Sequence, residues 1–173
     1  EIIAKWISNG FRSEVHILNY GILPSGSMPI LLNELNHDMG IIISASHNPS
    51  EYNGIKLIDK NGSKLADEVE ISIEETMDTI ELPSKSSQIE DSHLGYEQYK
   101  NFLDSINDVD FLQFNLVIDS ANGSAYKVIK DLVLDQKPTT TFIANEPNGE
   151  NINEHSGATN TKNLINTMKD GQL

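Results

Sequence analysis

Short runs of apolar residues alternate along the chain with segments whose apolar residues recur every three or four positions. The most apolar of the short runs, Gly40–Ser44, contains three consecutive isoleucines. Runs of this kind are typical of strands that are covered on both faces, and the intervening spacing is typical of amphipathic helices. The alternation therefore predicts an α/β fold, in which mixed β-sheets are flanked by helices.

The predicted elements extend over most of the chain. The predicted strands are Val15–Leu18, Gly40–Ser44, Ile55–Ile58, Leu116–Ile118 and Thr139–Ile143. The predicted helices are Glu1–Ser8, Ser27–Leu35, Asp67–Ile80, Tyr96–Ile106, Ala125–Leu134 and Thr161–Lys169.

The connections between these elements carry local signals of their own. Asn61-Gly62 is typical of a hairpin turn, and Ser27 is a candidate N-cap for the second helix. The segment 81–93 is polar, Ser-rich and aperiodic, which indicates a linker or an exposed loop. A domain boundary is predicted near Leu112, between the helix that starts at Tyr96 and the strand that follows it.

Composition limits the classes of partner. The 173-residue chain has 12 Lys and Arg residues against 26 Asp and Glu, a formal net charge of −14. This acidic balance disfavours binding to nucleic acid and to anionic membrane surfaces. The sequence has no cysteine, which excludes disulfides and thiolate metal sites. Because no apolar run approaches the ~20 residues of a membrane span and no signal peptide is visible, we expect a cytoplasmic protein.

The segment with most chemical content is Ser44–Pro49, directly after the most apolar strand. Open α/β sheets place ligand-binding groups at the carboxyl ends of their strands. Asn53-Gly54 then turns the chain back, so Ser46, His47 and Lys56 are candidates to converge: a hydroxyl, a titratable ring and a cation. The same residues also describe an ordinary turn. A Ser-His hydrolase, a P-loop and a dinucleotide fold are not supported, since none of their glycine motifs is present.

The block Gly40–Pro49, followed by Asn53-Gly54-Ile55-Lys56, resembles the phosphoserine loop of the α-D-phosphohexomutase superfamily in composition and spacing. The resemblance implies that Ser46 carries the phosphoryl group that is exchanged with a sugar phosphate. It implies that Lys56 takes part in proton transfer at the sugar hydroxyl and that His47 orients the phosphoserine or the substrate. It also implies Mg²⁺ bound through the Ser46 phosphate.

A second pair of blocks resembles the phosphoglucosamine mutases within that superfamily. Val117–Tyr126 is similar to the V-D-x-A-N-G-A-A-Y opening of their second domain, and Glu146–Thr159 is similar to their P-D-G-x-N-I-N…C-G-S-T pattern. The chain departs from the pattern at Asn148, usually Asp, at Ala158, usually Ser, and at Gly95, where Arg is expected. The D-G-D-x-D-R metal loop of the family is absent from this sequence, so no carboxylate ligand is assigned.

The resemblance implies a Mg²⁺-dependent isomerase that interconverts glucosamine 6-phosphate and glucosamine 1-phosphate through a phosphoserine enzyme and a bisphosphate intermediate. Residues 1–112 are expected to be most of domain 1 and residues 113–173 the first part of domain 2. We therefore expect a piece that is incomplete at both ends, and inactive alone. Two alternatives stay open: a phosphomannomutase or phosphoglucomutase of the same superfamily, and a non-catalytic sugar-phosphate-binding module. A hexosamine phosphate is the expected ligand, and the oligomeric state is left open.

Overall fold

The computed structural model describes residues 2–136 and 139–168 of the chain. Within these residues the chain forms six α-helices, six β-strands and a short 3₁₀-helix at Phe111–Gln113. The strands are β1 (Ile17–Asn19), β2 (Met39–Ile43), β3 (Ile55–Asp59), β4 (Ile89–Asp91), β5 (Val117–Asp119) and β6 (Thr141–Ile143). The helices are α1 (Ile2–Gly10), α2 (Ser27–Glu34), α3 (Asp67–Thr76), α4 (Leu94–Ile106), α5 (Tyr126–Leu134) and α6 (Lys162–Thr167).

The described strands pair in three two-stranded sheets. β1 pairs with β4 and β5 pairs with β6, both in parallel, whereas β2 and β3 are antiparallel. Parallel neighbours need a long crossover connection, and α5 provides it between β5 and β6. The predicted α/β class, with mixed sheets and flanking helices, is confirmed.

The described residues divide into two compact units, of which the first comprises residues 2–22, 26–43 and 55–98. In this unit α2 packs against β2. The approach is close at Gly40, because a Cβ there would collide with the sulfur of Met28. Burial of apolar area from α2 and β3 supplies the core of the unit. The hydrophobic side chains buried there are Leu31, Leu32 and Ile58.

The second unit comprises residues 23–25, 44–54, 99–136 and 139–168. Its centre is the β5–α5–β6 succession, with α6 packed against β5. The apolar stripe of α5 faces inward, as helical periodicity requires. The hydrophobic side chains buried in this unit are Tyr99, Val117, Val128 and Val133. The boundary predicted near Leu112 separates two continuous blocks of sequence, whereas each compact unit is built from several separate segments. The boundary therefore stays a prediction.

Two predictions about the first unit are wrong. Ser27 does not cap α2: it is the buried first residue of the helix, and the cap position is Gly26, which has no side-chain cap hydrogen bond. The strand β2 is not covered on both faces, because Met39 and Ile43 are exposed and Gly40 is its one buried residue. An isoleucine run therefore marks the strand correctly but overstates its burial.

The Ser-rich segment 81–93 is more than a linker. It contains β4, and the buried Ser87 donates hydrogen bonds to the carbonyl oxygens of Val15 and Gln88. The helix predicted from Asp67 is present as α3 but ends earlier, at Thr76. Its apolar stripe is largely exposed, so the hydrophobic spacing predicts the helix but not its burial.

The other predicted elements are present with shifted ends. The predicted ends at Glu1 and Lys169 lie outside the described residues. None of the helices in residues 2–136 and 139–168 has the length and apolar character that a membrane span requires.

The Asn61-Gly62 turn is confirmed, and the carboxylate of Asp59 organises it. Asp59 Oδ1 accepts hydrogen bonds from the backbone N–H groups of Asn61 and Ser63, both at 2.9 Å. Gly62 has φ of +82°, which favours glycine. The backbone hydrogen bond from Ser63 is the largest cause that lowers the pKa of Asp59, because it stabilises the ionised carboxylate.

This lowered pKa predicts a loss of stability in acid. The folded-state pKa of Asp59 lies below the unfolded value, so its contribution is present above the unfolded pKa and is lost as pH falls through the folded one. We expect the difference in unfolding free energy between the parent and Asp59→Asn to shrink as pH falls below about 4. Urea unfolding at several pH values measures it. Asp78→Asn is the matched surface control, and an equal trend in that variant would contradict the assignment to Asp59.

Candidate functional site

The segment 44–54 is a loop whose two ends are held together. The backbone N–H of Ser44 donates to the carbonyl oxygen of Gly54 at 2.9 Å. A Cβ on Gly54 would lie 2.9 Å from the carbonyl oxygen of Ser44, so a larger residue would force this closure apart. The loop therefore leaves β2 and returns toward β3 with a fixed base.

Ser46 lies at the exposed tip of this loop. Its φ is +58°, in the left-handed region that non-glycine residues rarely adopt. Its backbone N–H donates to Ser44 Oγ at 3.0 Å, and the N–H of Asn48 donates to the carbonyl oxygen of Ala45 at 3.1 Å. These two hydrogen bonds define a tight turn around Ser46. An exposed hydroxyl on a constrained turn can accept a phosphoryl group without burying charge.

The other two predicted site residues lie in different parts of the chain's fold. His47 shares the turn with Ser46 and is exposed. Lys56 is an exposed residue of β3, where it is paired in register with Ile42, and it belongs to the first unit. The structure thus brings Ser46 and His47 together on one turn, and the convergence of Lys56 with them stays a prediction.

A second set of loops lies in the second unit, which also contains the Ser46 loop. These loops are built around Asp119, the last residue of β5. Its Oδ1 accepts the backbone N–H of Ala121 and its Oδ2 accepts the backbone N–H of Gly157, each at 2.8 Å. Gly157 has φ of +81°, and a Cβ there would lie 2.8 Å from Cβ of Ala121. One carboxylate therefore joins the loop after β5 to the loop that precedes α6.

Asn122 continues this network. Its Oδ1 accepts the backbone N–H of Glu146 at 3.0 Å, and its Nδ2 donates to the carbonyl oxygen of Asn151 at 3.1 Å. Ser120 Oγ donates to Asn145 Oδ1 at 2.7 Å. The Asn-rich loop after β6 is consequently held by the side chains of Ser120 and Asn122 rather than by regular secondary structure.

Asn153 is a residue that the sequence reasoning missed. Its backbone N–H donates to the carbonyl oxygen of Ala121 at 2.8 Å, and its side-chain Nδ2 donates to the carbonyl oxygen of Asn48 at 3.2 Å. Asn153 has φ of +58°, a conformation that Asn tolerates better than most residues. The N-I-N motif signals such a backbone position, but no local signal indicates a partner 105 residues away.

The departure at Gly95 has a steric explanation in the first unit. A Cβ at Gly95 would lie 2.5 Å from Cγ of Tyr20, so the tyrosine ring occupies the space in which any side chain at position 95 would begin. The Tyr20 hydroxyl and His37 Nε2 are hydrogen-bonded at 2.6 Å. Burial raises the pKa of Tyr20. Gly95 therefore belongs to the packing of this unit, and the expected Arg would not fit here.

A protein site for a divalent cation needs several oxygen or nitrogen ligands close together. In residues 2–136 and 139–168, no three His, Asp or Glu side chains are grouped so that they could hold a metal ion. Asp119, the carboxylate at the centre of the loops in the second unit, already accepts two backbone hydrogen bonds. The described residues therefore do not form a complete magnesium site.

Comparison with known proteins gives the class. Residues 1–84 match the family model described as phosphoglucomutase/phosphomannomutase, alpha/beta/alpha domain I. The match contains Ser46 and its loop. The chain belongs to the α-D-phosphohexomutase superfamily.

Relatives that match most of the chain are named phosphoglucosamine mutases. The chain is 38% identical over 154 residues to the phosphoglucosamine mutase of Clostridioides difficile strain 630, a match that covers 86% of this chain and 34% of the relative. It is 39% identical over 156 residues to the phosphoglucosamine mutase of Lactobacillus delbrueckii subsp. bulgaricus strain ATCC BAA-365 / Lb-18, covering 87% and 35%. The chain thus spans about a third of the length of the curated relatives it matches.

A solved structure supports the fold. A Thermus thermophilus protein assigned as a phosphomannomutase is similar with a TM-score of 0.66 and 24% sequence identity. The match covers 79% of this chain and 32% of that one. The α/β arrangement described above is therefore one that this crystal structure also adopts.

Ser156 provides a test of the packing behind the Asp119 loops. Ser156 is 2% exposed, and its Oγ is buried with no hydrogen-bond partner among the described residues. A buried hydroxyl without a partner loses its hydration and gains nothing in return. Within the described part of the chain, this side chain is therefore packed without a hydrogen bond.

We expect Ser156→Ala to raise the unfolding free energy by about 1 kcal/mol, because it removes an unsatisfied buried hydroxyl. Ser87→Ala is the matched control: that buried hydroxyl donates hydrogen bonds, so its removal should lower stability by about 1 kcal/mol. Urea unfolding of both variants measures the two effects. Destabilisation by Ser156→Ala of the same size as in the control would show that the Oγ has a partner.

Proposed function

We propose that the complete protein containing this chain is a phosphoglucosamine mutase. It interconverts glucosamine 6-phosphate and glucosamine 1-phosphate, with Ser46 as the phosphoryl carrier. The observation that carries the proposal is the exposed, left-handed turn at Ser46, within a segment shared with named phosphoglucosamine mutases. A turn without a catalytic role does not require a serine in this strained backbone conformation. Presentation of a reactive hydroxyl is a physical reason for a serine at this position.

The proposed reaction has two transfer steps that balance. In the first, the bond from phosphorus to Ser46 Oγ breaks and a bond from phosphorus to the sugar O1 forms, while the O1 proton passes through a base to Ser46 Oγ. In the second, the bisphosphate turns over, its O6–P bond breaks and the phosphoryl group returns to Ser46 Oγ, while the Oγ proton passes through a base to O6. Positioning of the groups in line dominates the rate of such transfers.

Lys56 and His47 have distinct proposed roles. Lys56 moves the proton to or from the sugar hydroxyl, and His47 orients the phosphoserine or the substrate. Both side chains are exposed, so they are open to a ligand. The proposal for Lys56 rests on the N-G-I-K motif and on its position two residues after the loop that carries Ser46.

Mg²⁺ is part of the proposal only through the Ser46 phosphate, whose oxygens are ligands of the kind that this cation prefers. The described residues lack a grouped carboxylate set, as stated above. They do not fit a complete magnesium site, and no step of the reaction is derived through the metal.

By the same proposal, residues 1–112 are most of domain 1 and residues 113–173 are the first part of domain 2.

Ser46→Ala tests the phosphoryl carrier. In the complete protein, incubated with glucosamine 1,6-bisphosphate and Mg²⁺, we expect this variant to lose the phosphoenzyme, because no other hydroxyl takes the same place on the turn. Intact-mass and peptide mass spectrometry measure the phosphate and its position. Ser50→Ala, in the same loop, is the matched control and should keep the phosphate.

The outcomes separate the rival functions. Phosphate on another serine in Ser46→Ala would overturn the assignment of the carrier. A folded parent protein that never gains phosphate would favour the non-catalytic binding module. A parent that is phosphorylated at Ser46 but turns over mannose or glucose phosphates faster than glucosamine phosphate would favour the phosphomannomutase or phosphoglucomutase alternative.

The 173-residue chain alone should have no mutase turnover, because the described residues supply the loop of the carrier but no metal-ligand cluster. The measurement is a coupled assay for glucosamine 1-phosphate with the purified chain, with the complete protein as the positive control. Turnover by the chain that disappears in its Ser46→Ala variant would contradict this prediction.

A further inference from the structure

We propose that Asn153 is a positioning residue for the Ser46 loop: its side-chain amide anchors the turn that presents the phosphoryl carrier. The inference rests on the proposed function for its catalytic consequence, and on the structure for the anchor itself. It concerns two segments of the second unit, the loop 44–54 and the loop that contains Asn153.

The anchor is a hydrogen bond from Asn153 Nδ2 to the carbonyl oxygen of Asn48, 3.2 Å long. Asn48 closes the turn, because its backbone N–H donates to the carbonyl oxygen of Ala45 across Ser46 and His47. The closing residue of the turn is therefore held at its N–H from within the loop and at its carbonyl from Asn153. Release of the carbonyl leaves this residue held by its N–H alone.

Asn153 can serve as an anchor because its own position is fixed. Its backbone N–H donates to the carbonyl oxygen of Ala121 at 2.8 Å, and the N–H of Ala121 donates to Asp119 Oδ1 at 2.8 Å. The other oxygen of Asp119 holds Gly157, four residues after Asn153. A continuous chain of hydrogen bonds thus runs from the end of β5 to the turn at Ser46.

Asparagine meets two separate requirements at position 153. The backbone has φ of +58°, which glycine and Asn tolerate at lower cost than most residues. The side chain must also donate a hydrogen bond, which the amide can do and a carboxylate cannot. The two requirements can be separated: Asn153→Gly keeps the backbone conformation and removes the amide, and Asn153→Asp keeps the shape and replaces the donor with an oxygen that repels the Asn48 carbonyl.

The chain offers a matched control in the same unit. Asn163 Nδ2 donates to the carbonyl oxygen of His155 at 2.8 Å, which is also an exposed side-chain-to-backbone hydrogen bond. Asn163→Asp therefore removes the same kind of interaction without touching the Ser46 loop. A purely structural role for Asn153 would make the two Asp variants behave alike.

The experiment uses the complete protein with the variants Asn153→Gly, Asn153→Asp and Asn163→Asp. Hydrogen–deuterium exchange of the peptides that cover residues 45–54 measures the anchor, and steady-state kinetics with glucosamine 6-phosphate measure its consequence. In both Asn153 variants we expect exchange in this segment to accelerate and kcat to fall by about fivefold, as for loss of one ordinary hydrogen bond, with KM changed by less than about twofold. Asn163→Asp should match the parent in both measurements.

The results distinguish the anchor from the function. Unchanged exchange of residues 45–54 and unchanged kcat in Asn153→Gly and Asn153→Asp would overturn the proposal, as would an equal fall of kcat in Asn163→Asp. If the parent protein gains no phosphate at Ser46 but only the Asn153 variants show faster exchange of this segment, the anchor is supported and the proposed function fails. A rise in KM without a fall in kcat would assign Asn153 to substrate binding and overturn the positioning role.

Discussion

The carboxylate of Asp119 is the interaction on which the loops of the second unit depend. It ends β5 and accepts two backbone N–H groups, from Ala121 and Gly157, each at 2.8 Å. Hydrogen bonds to an ionised acceptor are stronger than neutral ones, by roughly a factor of two. A neutral amide at this position has one acceptor oxygen and would leave one of the two N–H groups opposite a donor. The paired oxygens of a carboxylate therefore suit this junction.

The loops joined in this way contain a concentration of left-handed residues. Five residues in these loops have a positive φ although they are not glycine: Ala121, Asn122, Ala144, Asn153 and His155. Each such conformation costs of order 1 kcal/mol and persists where surrounding bonds over-determine it. The side chains of Asp119 and Asn122 supply such bonds, all four of them to backbone groups. The strain is thus offset by a polar network, and the result is a set of loops with defined positions beside strand ends.

The sequence predicts the elements whose signals are local. The helices α4 and α5, the strand β3 and the turn at Asn61-Gly62 follow from spacing and turn chemistry within a few residues. The strand β4 escapes prediction because three residues in a Ser-rich segment carry no periodicity, and it exists through its parallel pairing with β1, which lies far earlier in the chain. The burial of β2 is overestimated for a related reason: an apolar run reports composition, whereas coverage depends on which elements pack against each face.

The candidate site likewise combines a feature with a local signal and a feature that depends on distant residues. The turn at Ser46 is encoded within Ser44–Gly54, so its motif could be found in the sequence. The bond between Asn153 and Asn48 joins loops 105 residues apart, and no composition rule pairs an amide with one particular carbonyl at that distance. For phosphoryl transfer this division has a consequence. Under the proposed function, the reactive group is specified by a short local motif, but the rate depends on orientation, and orientation is supplied by residues that the motif does not contain. If Asn153 positions the Ser46 loop as we propose, two chains that share the motif of Ser46 differ in activity when they differ at position 153.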